Sequence, residues 1–489
     1  MTAADLTALL PLLVIATTAI AVMLAIAIRR SHGVAAAVNV LGLCGAFASL
    51  FVTAPIAPHD VTPLIRIDSS ALFYTGLILT GSIAVSLLSY GYYRNHRGNR
   101  PEELYILIAV AALGSATLVS ANHFASLFLG LEILSVSLYG MVAYERDLKA
   151  SVEAGLKYLV LAAASASFLL FGMALVYFEL DTMEFGEMAR AAARPDVAPS
   201  FVALGAVLIL VGIGFKLALV PFHLWTPDVY EGAPAPVAAF VATVSKGAMF
   251  ALLLRYFGQA GVRNNPALLL VLTAIAVASM FAGNLLALLQ NNVKRILAYS
   301  SIAHLGYLIV AFEAGDDMAG FAVAFYLVAY FATMLGAFGV VALVSTPGKD
   351  LGDLASYRGL FWRRPAVAGV FTVMLLSLAG IPLTAGFVGK FYIVAAGTSA
   401  LLWLLVFSLV ITSAIGLFYY LRVIVALYSH AEEKVADRVP IDRHGAWSLT
   451  WTVGALTVAV IAIGCYPSPV LQLIQNMLSG STIVRSFGG

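Results

Sequence analysis

The chain has 489 residues, 62% of them hydrophobic and only 11% charged, where a soluble domain carries about 25% charged residues. At a mean hydropathy of +0.97 the apolar surface is too large to hide from water, so the main solvent is lipid. A net charge of +2 argues against a nucleic-acid partner, and two cysteines far apart in apolar runs, Cys44 and Cys465, cannot alone build a zinc or iron–sulfur site.

No G-x-G-x-x-G follows a strand and there is no Walker A loop. Asp5 is the first charge, with no basic region before the first apolar run, so a cleaved signal peptide is not expected. At roughly 35 residues per span and loop, with about 20 apolar residues per span, the length holds about 14 spans. They are predicted at 5–28, 34–53, 69–93, 103–120, 123–144, 152–178, 200–225, 236–258, 266–289, 294–313, 319–344, 366–396, 400–428 and 446–475. The longest gap, around 179–199, leaves no room for a soluble domain.

Basic residues alternate between the two sides of this series. The odd-to-even connections carry sixteen: Arg29, Arg30, Arg94, Arg97, Arg100, Arg146, Lys149, Lys294, Arg295, Lys349, Arg358, Arg363, Arg364, Lys434, Arg438 and Arg443. The other side has five: Arg66, Arg190, Arg194, Arg263 and Arg485. Positive charge stays inside, which puts the odd-to-even connections in the cytoplasm and both termini outside. Six basic residues remain within spans. Lys157, Arg255 and Arg422 lie near helix ends and are expected to snorkel, whereas Lys216, Lys246 and Lys390 are too deep for that.

In the fifth span Glu132 is about 14 Å deep at 1.5 Å per residue, with Ser135 and Tyr139 on the same stripe. A carboxylate near the midplane costs several kcal/mol unless paired or protonated, so it reads as a structural ion pair or a proton carrier. In the seventh, Lys216 is followed five residues later by Pro221. Proline removes a backbone donor, and a break at membrane depth must face protein or water. His223, just past the break, reads equally as a satisfied interfacial histidine. In the eighth, Lys246 is again near the midplane. Burial destabilises an ammonium, and lysine can then give up its proton where arginine cannot; the choice of lysine at all three positions favours titration. The tenth aligns Ser300, His304 and Tyr307, and histidine titrates near neutrality. The twelfth is long, breakable at Gly380–Pro382, and holds Lys390.

These positions recur. Glu132 to His304 is 172 residues and Lys216 to Lys390 is 174, an offset of five spans. An odd offset reverses direction across the membrane, which describes an inverted repeat of spans 4–8 against 9–13. The repeat is imperfect: Lys216 precedes its proline, Lys390 follows its own, and the counterpart of Lys246 falls near Tyr419.

The string FKLALVPFHLWTPDVYEGAPAPVAAFVATVSKGAMF closely resembles the antiporter-like subunits of respiratory complex I, the proton-translocating NADH-quinone oxidoreductase, and within them the N type (subunit 2 in mitochondria). NNVKRILAYSSIAHLGY and LAGIPLTAGFVGKFY are similar to segments of the same family. The resemblance implies an all-α polytopic membrane protein with fourteen helices, two inverted five-helix repeats and broken helices 7 and 12. It divides the chain into 1–100 (helices 1–3), 101–260 and 261–430 (the repeats) and 431–489 (helix 14). It implies that Glu132 pairs with Lys216, that Lys246 links two half-channels, and that Lys390 lies near the exit. His304 and His223 complete the candidate proton-transfer set. Lysine rather than glutamate at 390 favours the N type or the larger L type, and L-type chains carry a long lateral helix after helix 14.

The resemblance also implies a bacterial inner-membrane location with both termini periplasmic. Its partners would be the other membrane subunits of the complex, neighbouring antiporter-like subunits among them. No cofactor or metal is expected on this chain, with FMN, iron–sulfur clusters and quinone on other subunits. The same lysines would serve an Mrp-type sodium/proton antiporter, and a non-pumping membrane scaffold is a third possibility.

Overall fold

The computed structural model describes residues 2–94, 100–260, 265–315, 317–345, 350–430 and 447–478. Arg97, Arg263, Lys349, Lys434, Arg438, Arg443 and Arg485 of the charge tally lie outside these residues. Thirteen described helices are long and apolar enough to cross a bilayer, and a further crossing is made of two half-helices. We label them α1 (Leu10–Ile28), α2 (His32–Thr53), α3 (Ser69–Arg94), α4 (Glu102–Val119), α5 (Phe124–Val142), α6 (Lys149–Leu180), α7 (Pro199–Leu217) and α8 (Ala235–Gln259). The series continues with α9 (Pro266–Leu288), α10 (Val293–Ala314), α11 (Asp317–Val344), α12 (Pro365–Ala379 and Ala385–Ser399), α13 (Trp403–Tyr428) and α14 (Trp447–Cys465).

The differences from the predicted spans sit at proline. The first span starts at Leu10, after a short helix Ala3–Ala8, with Pro11 in its first turn. The seventh stops at Leu217 and resumes as Trp225–Gly232. The last ends at Cys465, because Pro467 cannot continue the helix, and a short helix Ser468–Leu478 follows. The 2–3 connection hides a small hairpin, β1 (His59–Thr62) with β2 (Ile65–Ile67), too short to show in an apolar pattern.

Helix contact in lipid gains little from hydrophobicity and depends on close packing at small residues. Gly114 of α4 and Gly130 of α5 meet this way: a methyl group on Gly114 would lie 2.5 Å from the Leu134 nitrogen. The second unit uses the same device. A methyl group on Gly283 of α9 would lie 2.7 Å from the Ala303 nitrogen of α10. α8 is buried from Ala235 to Phe257, and α10 and α11 are nearly all buried. α8 packs on α11 at the seam of the two units, while α1, α2, α6 and α14 turn large apolar side chains outward.

The connections gather at two ends. Ile65 bridges Ala121 and His123 bridges Glu184, tying the 2–3, 4–5 and 6–7 connections together. At the other end Asn292 bridges Asp353, tying the 9–10 and 11–12 connections. We call this second end, which carries the odd-to-even connections, the basic face.

One of the expected snorkelling residues does not snorkel. Arg255 is buried and donates to the Asp68 carboxylate at 2.6 Å. Arg422 reaches the carbonyls of Leu288 and Gln290, at the basic-face end of α9. Lys157 does reach out, to Glu153 and Asp228. Arg255 can stay at depth because Asp68, just ahead of α3, meets it across the bundle. Spans cannot show such a partner, since 187 residues separate the two.

Candidate functional site

α7 ends where Ala218 turns left-handed, at φ +61°. The freed carbonyls find partners: Gly214 accepts from the Leu219 N–H, and Phe215 from the Ala218 N–H and the Trp225 indole. Lys216 sits in this last turn, 3% exposed. Its ammonium donates to Ser135 of α5 and Tyr158 of α6, each at 2.9 Å. The expected Glu132 pair is not formed. Glu132 makes no ion pair with Lys216 within 4.0 Å, and Ser135, one turn along the same stripe, takes the ammonium instead. Glu132 itself is only partly buried.

A π-helical turn, Val241–Ser245, interrupts α8 immediately before Lys246. Such turns add one residue to the helical repeat and are frequent at functional sites. The Lys246 ammonium donates to Ser301 of α10 at 2.7 Å. The same hydroxyl accepts from Tyr330 of α11 at 2.7 Å and lies 3.3 Å from the Tyr230 hydroxyl, on the resumed part of the seventh helix. An oxygen that accepts twice still has its own proton to donate, here towards Tyr230.

His304 lies one turn from Ser301. Its Nδ1 meets the Tyr326 hydroxyl at 2.5 Å and its Nε2 the Tyr420 hydroxyl at 3.2 Å. Tyr420 of α13 also bonds Ser300, so the place where the repeat would put a second lysine holds a tyrosine pair, Tyr419 and Tyr420. Asn284 joins Tyr419 to Tyr307.

Lys390 lies in the second half of α12, yet its ammonium reaches back across the break. It donates to the carbonyls of Leu378 and Ala379, at 3.0 and 2.9 Å, and to Ser413 at 2.7 Å. Those carbonyls end the first half-helix, the negative end of its dipole. Lys216 and Lys390 thus both attend the end of a first half-helix, one from within and one from beyond the break. This removes the apparent mismatch in their order relative to proline. Gly380 is left-handed at φ +84°, and a methyl group on it would stand 2.8 Å from the Lys390 Cδ. Leu383 is also left-handed, at φ +73°. A groove of about 340 Å³ lies beside Lys390 between α12 and α13.

His223 lies in the seventh-helix break, buried, with no hydrogen-bond partner at Nδ1 among the described residues. No hydrogen bond joins it to the lysines, nor Lys216 to Lys246. The structure therefore brings Lys246, the Ser301 junction, His304 and its tyrosines into one polar core. Lys216 and Lys390 lie in separate polar pockets. Among the described residues no carboxylate comes within 4.0 Å of the three ammonium groups; their partners are hydroxyls and carbonyls. Sequence reasoning missed Tyr158, Tyr230, Ser301, Tyr326, Tyr330 and Tyr420. The available signal was a tyrosine in mid-span, whose buried hydroxyl requires a partner.

The family model described as NADH:quinone oxidoreductase/Mrp antiporter, TM matches residues 121–416. The NADH-quinone oxidoreductase subunit N of Ectopseudomonas mendocina (strain ymp) is 52% identical over 487 residues, 97% of each chain. A chain in the structure of respiratory complex I from Thermus thermophilus with bound aureothin is similar at TM-score 0.80 and 34% identity, over 94% of this chain and 98% of that one. A chain of the Mrp complex from Dietzia sp. shares the fold at TM-score 0.86 over 100% of both chains, at 19% identity.

Proposed function

This chain belongs to the NADH:quinone oxidoreductase/Mrp antiporter family, and on that premise we propose that it is a proton-translocating membrane subunit of an NADH-quinone oxidoreductase. The single observation that carries the reading is the set of three buried lysines with no carboxylate within 4.0 Å among the described residues. An unpaired charge at membrane depth costs several kcal/mol. A lysine held by hydroxyls escapes that cost by releasing its proton, and the hydroxyls can then donate to the neutral amine. Lys216, Lys246 and Lys390 are the carriers in this scheme. Ser301, Tyr330, His304, Tyr326 and Tyr420 pass protons between Lys246 and the second repeat, and Glu132 biases Lys216 through space. Residues 101–260 and 261–430 act as the two repeats, with 1–100 and 431–489 flanking them.

We place the redox groups on other subunits, so that their energy reaches this chain as a change of conformation or field. Moving one charge against 100 mV costs about 2.3 kcal/mol, within reach of small shifts at a buried lysine. The basic face is cytoplasmic in this reading, which puts both termini outside. The 52% identity to a subunit N over 97% of each chain favours it over an Mrp-type antiporter, for which the 19% likeness supports the fold alone. The test is the proton-to-electron ratio of the purified complex in sealed vesicles supplied with NADH and quinone. Replacing Lys246 by Arg should lower that ratio while assembly and electron transfer persist. An assembled Lys246→Arg complex with the wild-type ratio would falsify the proposal.

A further inference from the structure

A second group of buried titratable residues sits at the basic face, away from the three lysines. The Asp350 carboxylate accepts from the Lys294 ammonium at 2.6 Å and from the hydroxyls of Tyr92 and Ser345, each at 2.8 Å. Lys294 also donates to the Ala233 carbonyl at 2.6 Å, just ahead of α8. Asp350 is thereby fully served as an anion. Burial raises its carboxyl, but the Lys294 ammonium and the hydroxyl donors hold it below the ordinary carboxylate range.

Glu145, in the 5–6 connection, completes the group and is treated differently. It is 5% exposed, and no cation stands within 4.0 Å of it among the described residues. Its closest polar contact is the Tyr92 hydroxyl at 3.5 Å, whose proton already points to Asp350. Among the described residues the groups facing it are Tyr92 and Tyr93 from α3, Asp350 from the 11–12 connection and Lys294 from α10. Among the described residues the two carboxylates therefore share one ammonium. Burial and the Asp350 charge push the Glu145 carboxyl up to about 7, against the pull of Lys294 and Tyr92.

We infer that Glu145, set beside the Lys294–Asp350 pair, is a proton-loading site at the basic face. A hydronium in the adjoining water gives its proton to the carboxylate, leaving water and a neutral acid, and the acid gives the proton up again in each cycle. Asp350 and Lys294 are positioning residues. Their bonds to Tyr92 and Ala233 join the site to α3 and to the start of α8, the helix that carries Lys246. The site thus lies at the seam of the two repeats, where its charge is felt by both.

The inference rests on the proton-translocating reading, and its test separates the two. The intact complex should show an infrared carbonyl band of a protonated carboxyl that titrates near pH 7. Glu145→Gln should abolish that band. Asp350→Asn should move its midpoint to lower pH, since it removes the neighbouring negative charge and frees Lys294. If Glu145→Gln does not assemble, Glu145→Asp keeps a carboxyl and should shift the band; an unmoved band overturns the site. Pumping gives the second readout. Suppose Lys246→Arg lowers the proton-to-electron ratio while Glu145→Gln and Glu145→Ala keep it at the wild-type value from about pH 6 to pH 8. The loading site then fails and the translocation reading stands.

Discussion

Lys246 and Ser301 belong to different repeats, and the 2.7 Å bond between them is one of the polar contacts that join the two units. Ser301 also gathers Tyr330 and Tyr230. Ser301→Ala should therefore act beyond its size. It removes a hydrogen bond to a buried charge, worth about 1.5–3 kcal/mol, and cuts the hydroxyl link between Lys246 and Tyr330. We expect a lowered proton-to-electron ratio in assembled complex, and partial recovery in Ser301→Thr. Equal ratios in Ser301→Ala and the wild type would refute a role for this hydroxyl.

For Lys216 the contacts rank the variants. Tyr158→Phe and Ser135→Ala each remove a direct bond to the ammonium, whereas Glu132→Gln removes only a through-space charge. Tyr158→Phe should impair pumping at least as much as Glu132→Gln, and the double variant Tyr158→Phe, Ser135→Ala more than either. Proton uptake by vesicles driven with NADH would decide the order. A Glu132→Gln effect far above that of Tyr158→Phe would mean that the carboxylate closes on Lys216 during turnover.

Gly380 makes a sharp steric case. Alanine there must hold a left-handed backbone, costing roughly 1–2 kcal/mol, and must displace the Lys390 side chain, whose Cδ lies 2.8 Å from the added methyl. Gly380→Ala should therefore weaken pumping through Lys390 without replacing a titratable group. Gly369→Ala, where nothing lies within 4 Å, is the matched control and should be silent.

The buried Arg255–Asp68 pair concerns stability rather than transport. Asp68→Ala leaves a guanidinium buried and unpaired, a loss of about 3–5 kcal/mol. Burial opposes ionisation of Asp68, but Arg255 holds its carboxyl below the ordinary value. The pair's contribution is therefore complete above that ordinary value and is lost as pH falls through the lower folded one. Thermal unfolding in mild detergent should show the loss for Asp68→Ala at neutral pH and a smaller difference from the wild type in acid.

Orientation is tested at exposed positions on opposite ends. Asp147, in the 5–6 connection, and Asp196, in the 6–7 connection, are both exposed. In a background with Cys44 and Cys465 replaced, a membrane-impermeant thiol reagent applied to sealed cells should label Asp196→Cys and spare Asp147→Cys. The reverse pattern would invert the proposed sidedness.

The helix count, the order of spans and both breaks were legible because they rest on single-residue signals: apolar length, the basic alternation, and Pro221 and Pro382. The deep lysines were legible because a charge at mid-span has no solvent to meet. Their partners were not. Helical periodicity aligned Ser300 with His304, yet the residue that meets Lys246 is Ser301. Which side of α10 faces α8 is decided by the approach of α11, and no spacing within α10 records it. The Glu132–Lys216 pair failed for a similar reason: a stripe names a face but not which of its members lies opposite. Glu145, Asp350 and Lys294 escaped notice because they come from three stretches of chain, each unremarkable as a charged connection.

The hydroxyl environment of Lys246 has one more consequence. Serine and tyrosine hydroxyls both give and accept, so the polar core around Ser301 and His304 has no built-in arrow. Turning each O–H about its bond, with a change of the His304 tautomer and a neutral Lys246 amine to accept, reverses the sense of these bonds. As part of the proposed proton path, such a set of groups would rectify nothing. The direction of flow must then come from its ends, from whichever of the groups near Lys216 and Lys390 is open to water at a given moment. A membrane potential large enough to oppose the driving reaction should push protons back along the same residues.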